Sequence, residues 1–428
     1  MPTRARSRSS ERVRRTIKLH YFILLTDECN LCCEYCRGKI FTIDSCIDSE
    51  YGCNEDSDPE CKSISGDSEC DSECGYKCDS GCESCAVNID ENLPCDFAPP
   101  LETLYNFLKK DEDAILTFYG GEPLIRDDLI RQIMDNAPVK DYIIQTNAVL
   151  LNRLEPRYVN RFKSIFASID GDRKTTDANR GEGVYDKVIA NLKDAVGNGY
   201  RGELIARMTV SEVCDIYESV RYLSENDDFS FSAIHWQMDS NFWNDFELRP
   251  DYVRWVTENY NPGIRRLAEY WVDRMESDGI VMMWYPFIDT MQDMLLGCKS
   301  SPLRCGSGFE NYSIVQDGHI APCPCMAGMK DYYCGDIATS DPKSLRKIDI
   351  GGECNECDIR DFCGGRCLYS NITMPWSKEG RRLVYESVKN LKTAMETQMP
   401  RVKRLIADKK ISLEQFDHVK YNGCEIIP

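Results

Sequence analysis

Six short apolar runs, separated by amphipathic stretches, constrain the fold of this chain most. Runs of this length predict buried strands, and apolar residues at helical spacing between them predict helices. We predict helices that include residues 100–109, 126–136 and 184–197, and strands at residues 18–25, 114–119, 141–146, 163–169, 204–210 and 232–238. Repeated βα units favour a parallel barrel, complete or open, with functional groups at the carboxyl ends of the strands. The predicted fold class is therefore α/β, with a partial (β/α)6 TIM-like barrel over residues 17–240.

Several segments depart from this alternation. Residues 43–96 hold nine cysteines and sixteen acidic residues against two lysines, with few large apolar residues. Such a segment cannot build a core of its own, so we interpret it as an acidic insert between the loop after the first strand and the first helix. The remaining segments are predicted to be a disordered basic tail at 1–16, a helical linker at 241–297, a second cysteine-rich domain at 298–370 and a C-terminal helical segment at 371–428.

Charge and cysteine content narrow the class of protein. A net charge of −19 argues against a nucleic-acid partner. The apolar stretch Leu19–Leu25 follows two arginines, but it is too short for an export signal and lacks a small-residue cleavage site. No apolar run reaches 18 residues, so we expect no membrane helix and a cytoplasmic protein. In a reducing cytosol, the 24 thiols are expected to bind metal more often than to form disulfides.

The spacing Cys29-x3-Cys33-x2-Cys36 supplies three thiolates to a [4Fe-4S] cluster and leaves one iron open to a ligand. The same spacing recurs at Cys78, Cys82 and Cys85, so spacing alone does not identify the site. Context separates the two sets. The first directly follows a predicted strand and has an aromatic residue, Tyr35, before its third cysteine, whereas the second lies in the polar insert with Ser84 at that position.

The segment CNLCCEYC at 29–36 resembles the cluster motif of the radical S-adenosylmethionine (SAM) superfamily. Further landmarks follow in order: GGEP at 120–123, QTN at 145–147, SIDG at 168–171 and Arg207. The resemblance implies a radical SAM barrel in which the open iron chelates the amino and carboxylate groups of SAM. One electron then cleaves the sulfonium bond and yields a 5′-deoxyadenosyl radical that abstracts a substrate hydrogen.

The same resemblance implies roles for particular residues. Glu122 is expected to bind the SAM ammonium, Arg207 and Ser168 its carboxylate or ribose, and Tyr35 to lie near the adenine. Arg207 has an alternative role as a structural ion pair. Gly120, Gly121 and Asn147 complete the predicted cofactor-binding set, because flexible glycines let backbone approach a ligand closely.

The C-terminal region contains Cys305-x12-Gly318-x4-Cys323, followed by Cys354-x2-Cys357-x5-Cys363-x3-Cys367. This long pattern resembles the SPASM extension of peptide- and protein-modifying radical SAM enzymes. That resemblance implies two auxiliary [4Fe-4S] clusters, with a pair of zinc knuckles as the alternative. Pro324 stands where the sulfatase-maturing relatives have an aspartate that acts as a base, which weakens a formylglycine-forming interpretation. The implied ligands are Cys298, Cys305, Cys323 and Cys367 for the first cluster, and Cys354, Cys357, Cys363 and Cys424 for the second. Cys325 or Cys334 is an alternative to Cys424 as the last ligand of the second cluster.

Within the insert, five cysteines recur at steps of three or four residues, at positions 70, 74, 78, 82 and 85. One hypothesis is a further Fe–S or zinc site beside the active site. The other is a flexible acidic loop whose thiols have no catalytic role. Gly75 and Gly81 argue against a continuous helix there.

The SPASM resemblance predicts an anaerobic enzyme, of the archaeal type, that modifies a ribosomally made peptide or protein. A thioether crosslink is the leading product, with carbon–carbon crosslinking, epimerisation or side-chain oxidation as alternatives. Its partners would be the precursor and a reductant such as ferredoxin or flavodoxin. We expect no leader-binding domain in residues 1–17, which leaves recognition to the barrel rim, the insert or another protein.

Two other functions stay open. One is a radical SAM oxidoreductase that acts on a small molecule, and the other is a non-catalytic Fe–S or zinc scaffold. Candidates for a catalytic acid or base are few, because the chain has four histidines. His235 and Asp239 flank the end of the sixth predicted strand, although each is more often a structural residue in such a place.

Overall fold

The structure is a computed structural model that describes residues 18–36, 88–242, 245–297 and 302–419. In this part of the chain, nine strands form a single sheet in the order β6-β5-β4-β3-β2-β1-β7-β8-β9. The strands are β1 (His20–Leu24), β2 (Ile115–Tyr119), β3 (Asp141–Thr146), β4 (Phe162–Ser168), β5 (Glu203–Val210), β6 (Ala233–Met238), β7 (Asn311–Ile314), β8 (His319–Ala321) and β9 (Gly335–Asp336). All neighbours from β6 to β7 are parallel, and the last two pairs are antiparallel.

Twelve α-helices lie in the described part of the chain, and the first six connect the parallel strands β1 to β6. They are α1 (Leu101–Leu108), α2 (Asp127–Asn136), α3 (Pro156–Val159), α4 (Arg173–Arg180), α5 (Val184–Gly197), α6 (Ile216–Glu225), α7 (Pro250–Trp255), α8 (Asn261–Asp278), α9 (Tyr285–Leu296), α10 (Arg360–Cys363), α11 (Leu368–Thr373) and α12 (Lys378–Ala407). A π-helical turn, Val256–Tyr260, joins α7 to α8. Asp172 and Asp215 cap α4 and α6 by accepting from backbone N–H groups, which starts both helices just beyond strand ends.

The two faces of the β1–β6 sheet differ in chemistry, because side chains alternate along each strand. One face is fully buried against the helices, with Ile23, Phe118, Ile144, Met208 and Trp236 at its centre. The opposite face is half-exposed towards the carboxyl ends of the strands. The half-exposed residues there are Phe22, Tyr119, Gln145, Ser168, Arg207, Thr209 and Gln237. These residues therefore line an open, partly polar cavity at the carboxyl ends of the strands, where functional groups were predicted.

The C-terminal cysteine-rich region continues the barrel sheet. β7 pairs in parallel with β1, and a hairpin of β7 and β8 follows. The described end of the acidic insert lies between the two regions. Ile89 forms an antiparallel bridge with Met329, and Asp96 forms one with Thr26 just after β1. The region expected from residue 298 onward therefore shares its sheet with the barrel and is tied to it by the end of the insert.

A helical layer completes the described part of the chain. α12 packs along α8 and against α9. Ser377 caps the first turn of α12 by accepting from the Gly380 N–H. Among the described residues, no helix combines the length and apolar character needed to cross a bilayer. The predicted basic tail at 1–16 lies outside the described residues.

Candidate active site

The three thiols of Cys29, Cys33 and Cys36 follow β1 directly, at the carboxyl end of the sheet. The Cys36 N–H donates to the Cys33 carbonyl at 2.9 Å and closes a turn. All three thiols interact electrostatically with one another. Partial burial raises the pKa of Cys33 to about 11. A thiolate here therefore requires a compensating positive charge, which bound iron provides.

The Gly120-Gly121 turn after β2 packs tightly against the backbone that precedes Cys29. The Gly121 N–H donates to the Thr26 carbonyl at 2.8 Å, and the Glu122 N–H donates to the Glu28 carbonyl at 2.7 Å. A Cβ atom on Gly121 would lie 2.2 Å from the Glu28 carbonyl oxygen, and one on Gly120 would lie 2.3 Å from that of Thr26. Both positions require glycine because the two backbones touch there.

The Glu122 carboxylate does not face the cavity, since the side chain is only 1% exposed. One oxygen, Oε1, accepts from the Thr146 hydroxyl at 2.7 Å and from the Leu124 N–H at 3.0 Å. The other oxygen, Oε2, accepts from the Asn147 N–H at 2.7 Å. Our sequence-based assignment of this carboxylate to a ligand ammonium stays a prediction. In the structure, its buried hydrogen bonds join the loops after β2 and β3.

Asn147, at the end of β3, contacts the cysteine segment at residues 29–36. Its Nδ2 donates to Asn30 Oδ1 at 2.8 Å and lies 4.0 Å from the Cys29 sulfur. Its Oδ1 accepts from the Val149 N–H at 3.0 Å, which fixes the amide orientation. The structure thus brings Asn147 and Cys29 together, as the sequence predicted for members of one site.

Tyr35 lies over a buried ion pair formed by Asp170 and Arg180. The Tyr35 hydroxyl donates to Asp170 Oδ2 at 3.2 Å, and the guanidinium carbon of Arg180 is 5.4 Å from the Tyr35 ring centroid. Arg180 binds Asp170 in a bidentate manner, at 2.7 and 2.8 Å. The Thr209 N–H also donates to this carboxylate, at 2.9 Å. The pair therefore fixes the position of Tyr35 and places a guanidinium within electrostatic range of Cys33.

Ser168, Arg207 and His235 are register neighbours on β4, β5 and β6, so their side chains share the cavity face. Arg207 contacts the ring of His235 and the amide oxygen of Gln237. His235 is fully buried beneath it. Of the three, Ser168 and Arg207 are half-exposed to the cavity, where a ligand carboxylate or ribose would contact them.

Asp239, the other candidate acid or base, is held in an ion pair. Its Oδ2 accepts from Arg249 Nη1 at 2.5 Å, and its Oδ1 accepts from the Asn241 N–H at 3.1 Å. Arg249 also binds Glu212 at 2.7 Å. These contacts give Asp239 a structural role at the end of β6.

The described C-terminal cysteines fall into two groups. In one, the thiol of Cys323 interacts electrostatically with those of Cys325, Cys334 and Cys367. Cys305 precedes β7, and Asn311 Nδ2 donates to its carbonyl at 3.1 Å. The grouping of Cys323 with Cys367 follows the ligand set implied for the first auxiliary cluster.

In the second group, the thiol of Cys354 interacts with those of Cys357 and Cys363. Asn371 Nδ2 donates to the Cys354 sulfur at 3.4 Å. This grouping follows the set implied for the second cluster. The remaining predicted ligands, Cys298 and Cys424, and the insert cysteines at 70, 74, 78, 82 and 85 lie outside the described residues.

Within the described ranges, no three His, Cys, Asp or Glu side chains are placed to hold a single metal ion. A four-iron cluster uses its thiolates differently, since each binds a separate iron and the sulfurs surround the cluster. Electrostatic interactions place the described thiols in three groups, one of Cys29, Cys33 and Cys36, one around Cys323, and one of Cys354, Cys357 and Cys363.

Sequence reasoning missed Arg180 and gave Asp170 no role beyond the SIDG motif. Asp170 carries a usable signal, because an acidic residue directly after a buried strand points to a functional or ion-paired carboxylate. Arg180 lies at the end of α4, where a basic residue is ordinary, and nothing local indicates its buried partner.

No protein-family model matches the sequence. An uncharacterized protein of Archaeoglobus fulgidus is 27% identical over 292 residues, which cover 62% of this chain and 65% of that protein. Another uncharacterized protein, of Methanothermobacter thermautotrophicus, is 27% identical over 125 residues, which cover 27% of this chain and 48% of that protein. The match thus spans less than two thirds of each relative.

Solved structures share the fold. The structure of polyhistidine-tagged anSMEcpe with bound AdoMet has a TM-score of 0.61 and 16% identity, and the match covers 92% of this chain and 97% of that chain. Native anSMEcpe with bound AdoMet and Cp18Cys peptide has a TM-score of 0.59 and 16% identity, covering 92% and 99%. The predicted fold class, a partial α/β barrel with a cysteine-rich C-terminal region, is confirmed.

Proposed function

We propose that this chain is a radical SAM enzyme that modifies a ribosomally made peptide or protein. One observation carries the proposal. The thiols of Cys29, Cys33 and Cys36 lie at the carboxyl end of β1, and the Gly120-Gly121 turn after β2 fixes the backbone that leads into them. The identically spaced set in the insert lies outside the described residues.

The residues present fit a [4Fe-4S] cluster that binds SAM. When bound, the cluster supplies an electron that cleaves the sulfonium of SAM and generates a radical that removes a hydrogen atom from the substrate. The cysteines would hold three irons, and the Asn147 amide would donate towards the Cys29 sulfur. Ser168 and Arg207 face the cavity, where we place the carboxylate or ribose of SAM. Tyr35 would border the adenine.

We propose two auxiliary clusters in the C-terminal region. Cys305, Cys323 and Cys367 would hold the first, together with Cys298. Cys354, Cys357 and Cys363 would hold the second, with Cys424 as the leading fourth ligand. Cys325, which is exposed, and Cys334, which is buried near Cys323, are the alternatives for that position.

A peptide substrate is supported by the fold, because anSMEcpe shares it and was solved with bound AdoMet and a peptide. The net charge of −19 favours a basic segment in the substrate. Pro324 follows Cys323 directly and begins a short 3-10 turn, so no carboxylate is available there for a formylglycine-forming reaction. We therefore favour a thioether crosslink, with ferredoxin or flavodoxin as reductant in an anaerobic cytoplasm.

The first experiment tests SAM cleavage. Anaerobically reconstituted protein is incubated with SAM and dithionite, and 5′-deoxyadenosine is measured by liquid chromatography. We expect formation by the wild type and loss in Cys33→Ala. Cys32→Ala is the matched control, because Cys32 is an adjacent exposed cysteine outside the spacing and its loss should leave product formation unchanged. Equal activity of the two variants would contradict the assignment of the cluster.

The second experiment tests the substrate class. The protein is co-expressed with a short peptide encoded beside its gene, and the peptide is analysed by mass spectrometry. A thioether crosslink removes two hydrogen atoms, and fragmentation locates the bond at a cysteine. An unchanged peptide, from cells in which the enzyme produces 5′-deoxyadenosine, would favour the small-molecule alternative.

A further inference from the structure

Arg366 separates two cysteines that belong to different predicted clusters, in the segment Cys363-Gly364-Gly365-Arg366-Cys367. Three consecutive residues of this segment have positive φ angles, +73° at Gly364, +92° at Gly365 and +57° at Arg366. The left-handed conformation is strained for a residue with a side chain, such as Arg366. Residues held in this way concentrate at functional sites, where the surrounding structure maintains them.

The side chain of Arg366 has two buried donors without an acceptor. Nε and Nη1 are both inaccessible to solvent and make no hydrogen bond to any of the described residues. The guanidinium packs over the ring of Trp376, with its carbon 5.1 Å from the ring centroid. Leaving a buried donor without an acceptor is unfavourable, and more so when the donor carries a charge. The arrangement therefore favours an acceptor that is not part of the described protein.

The charge of Arg366 acts on both neighbouring cysteines. The guanidinium interacts electrostatically with the thiol of Cys363 and with that of Cys367. The two thiols belong to separate groups, the first near Cys354 and the second near Cys323. The guanidinium is thus within electrostatic range of both groups.

We infer that Arg366 contacts both auxiliary clusters, donating Nε–H and Nη1–H hydrogen bonds to their sulfur atoms, and that its charge raises their reduction potentials. The inference rests on the proposed function, which supplies the clusters. Net charge and hydrogen bonds to the sulfurs are main determinants of the potential of an Fe–S cluster. Two anionic clusters held by Cys363 and Cys367 would repel each other, and a cation between them stabilises their reduced forms.

The test is a redox titration of reconstituted full-length protein, followed by electron paramagnetic resonance. Arg366→Gln removes the charge, and at a fixed potential we expect the reduced fraction of both auxiliary clusters to fall about tenfold relative to the oxidised fraction. For a one-electron couple this ratio corresponds to about 59 mV. The signal of the SAM-binding cluster should stay unchanged. Arg404→Gln is the matched control, because it removes an exposed arginine from α12 that pairs only with surface Glu276 in its salt bridges.

Each outcome decides the inference. Unchanged auxiliary potentials in Arg366→Gln overturn it, and so does a wild type that binds iron for a single cluster. If Arg366→Gln loses its auxiliary iron, Arg366→Lys is titrated, since it keeps the charge and removes both buried donors. A smaller shift there supports the inference, and potentials equal to wild type overturn it. Formation of 5′-deoxyadenosine is measured in the same preparations, so that failure of the proposed function is distinguished from failure of the Arg366 role.

Discussion

The backbone N–H of Asn147 donates to Glu122 Oε2 at 2.7 Å, which joins the end of β3 to the turn after β2. From this point the Asn147 amide reaches Asn30 and the Cys29 sulfur. The Glu122 N–H donates to the Glu28 carbonyl on the other side of the same segment. A buried carboxylate therefore supports the cysteine segment through two neighbouring loops, although it does not face the cavity.

Replacement of Glu122 by glutamine should destabilise the protein. The amide NH2 would replace one carboxylate oxygen and face the N–H donor of Asn147 or the donors at Leu124 and Thr146. We expect the free energy of unfolding to fall by about 1–3 kcal/mol, measured by urea denaturation. Glu102→Gln is the control, since Glu102 forms only an exposed pair with Lys109 and should cost under about 1 kcal/mol. Equal losses in both variants would contradict this role.

Glu122 should also make stability depend on pH. Burial raises its pKa from 4.5 to about 7, against the opposing hydrogen bonds from Thr146, Asn147 and Leu124. Between these values the folded protein keeps a proton that the unfolded chain has lost. The proton on Glu122 therefore stabilises the fold fully below the pKa of the unfolded chain. This stabilisation, about 3 kcal/mol, is lost as pH rises through the pKa of the folded protein. The free energy of unfolding, measured at several pH values in this range, should fall with rising pH in the wild type but not in Glu122→Gln. Parallel pH profiles of the two proteins would contradict this role of Glu122.

Replacement of Gly121 by alanine should displace the cysteine segment. The new methyl group would meet the carbonyl oxygens of Glu28 at 2.2 Å and Asp27 at 2.4 Å, and backbone cannot move aside as a flexible side chain can. We expect loss of one cluster's iron and of SAM cleavage, with near-native circular dichroism. Gly197→Ala is the control, because it ends α5 with open space around the added methyl. Full iron content in Gly121→Ala would argue against close packing at this turn.

The ion pair of Asp170 and Arg180 should be costly to break, because the two side chains are 0% and 6% exposed. Arg180→Met leaves a buried carboxylate without its cation, and we expect a loss of about 3–5 kcal/mol in the free energy of unfolding. Tyr35→Phe removes only one hydrogen bond to this carboxylate and should cost about 1 kcal/mol. Chemical denaturation measures both.

The matched control for Arg180→Met is Arg173→Met, on the same helix. Arg173 pairs with Asp186 at the surface, with both side chains more than half exposed. Its loss should leave the free energy of unfolding nearly unchanged, because solvent screens an exposed pair. Similar losses in the two variants would show that the buried pair has no special importance.

Arg304 joins the cysteine-rich region to α9. Its Nε donates to the Phe362 carbonyl at 2.7 Å, and its Nη1 binds Asp289 at 3.1 Å and Asp293 at 2.7 Å. Arg304→Met should cost about 3–5 kcal/mol, since two carboxylates lose their shared cation. Thermal unfolding measures the loss, with exposed Arg404→Met as a control of small effect. A loss under about 1 kcal/mol would contradict a buried network here.

The sequence by itself determined the strands of the barrel and the position of the cysteine segment at residues 29–36, directly after the first strand. The predicted strands near 141–146 and 204–210 match β3 and β5 within one residue, because alternation and apolar run length are local properties. The place of Cys29, Cys33 and Cys36 after the first strand was also predicted from local sequence, because a motif that follows a buried strand can be recognised without any distant contact. Asn147 was predicted from its place at a strand end.

Only the tertiary structure decided how the charged side chains are used. Glu122 was predicted from its motif to bind a ligand ammonium, and the structure shows it buried because two of its three donors, Thr146 and Asn147, come from a distant segment of the chain. The partners of Asp170 and the unsatisfied donors of Arg366 likewise depend on how distant elements pack. The continuation of the barrel sheet through β7 depends on pairing with β1 across almost 300 residues, a distance over which local patterns carry no information.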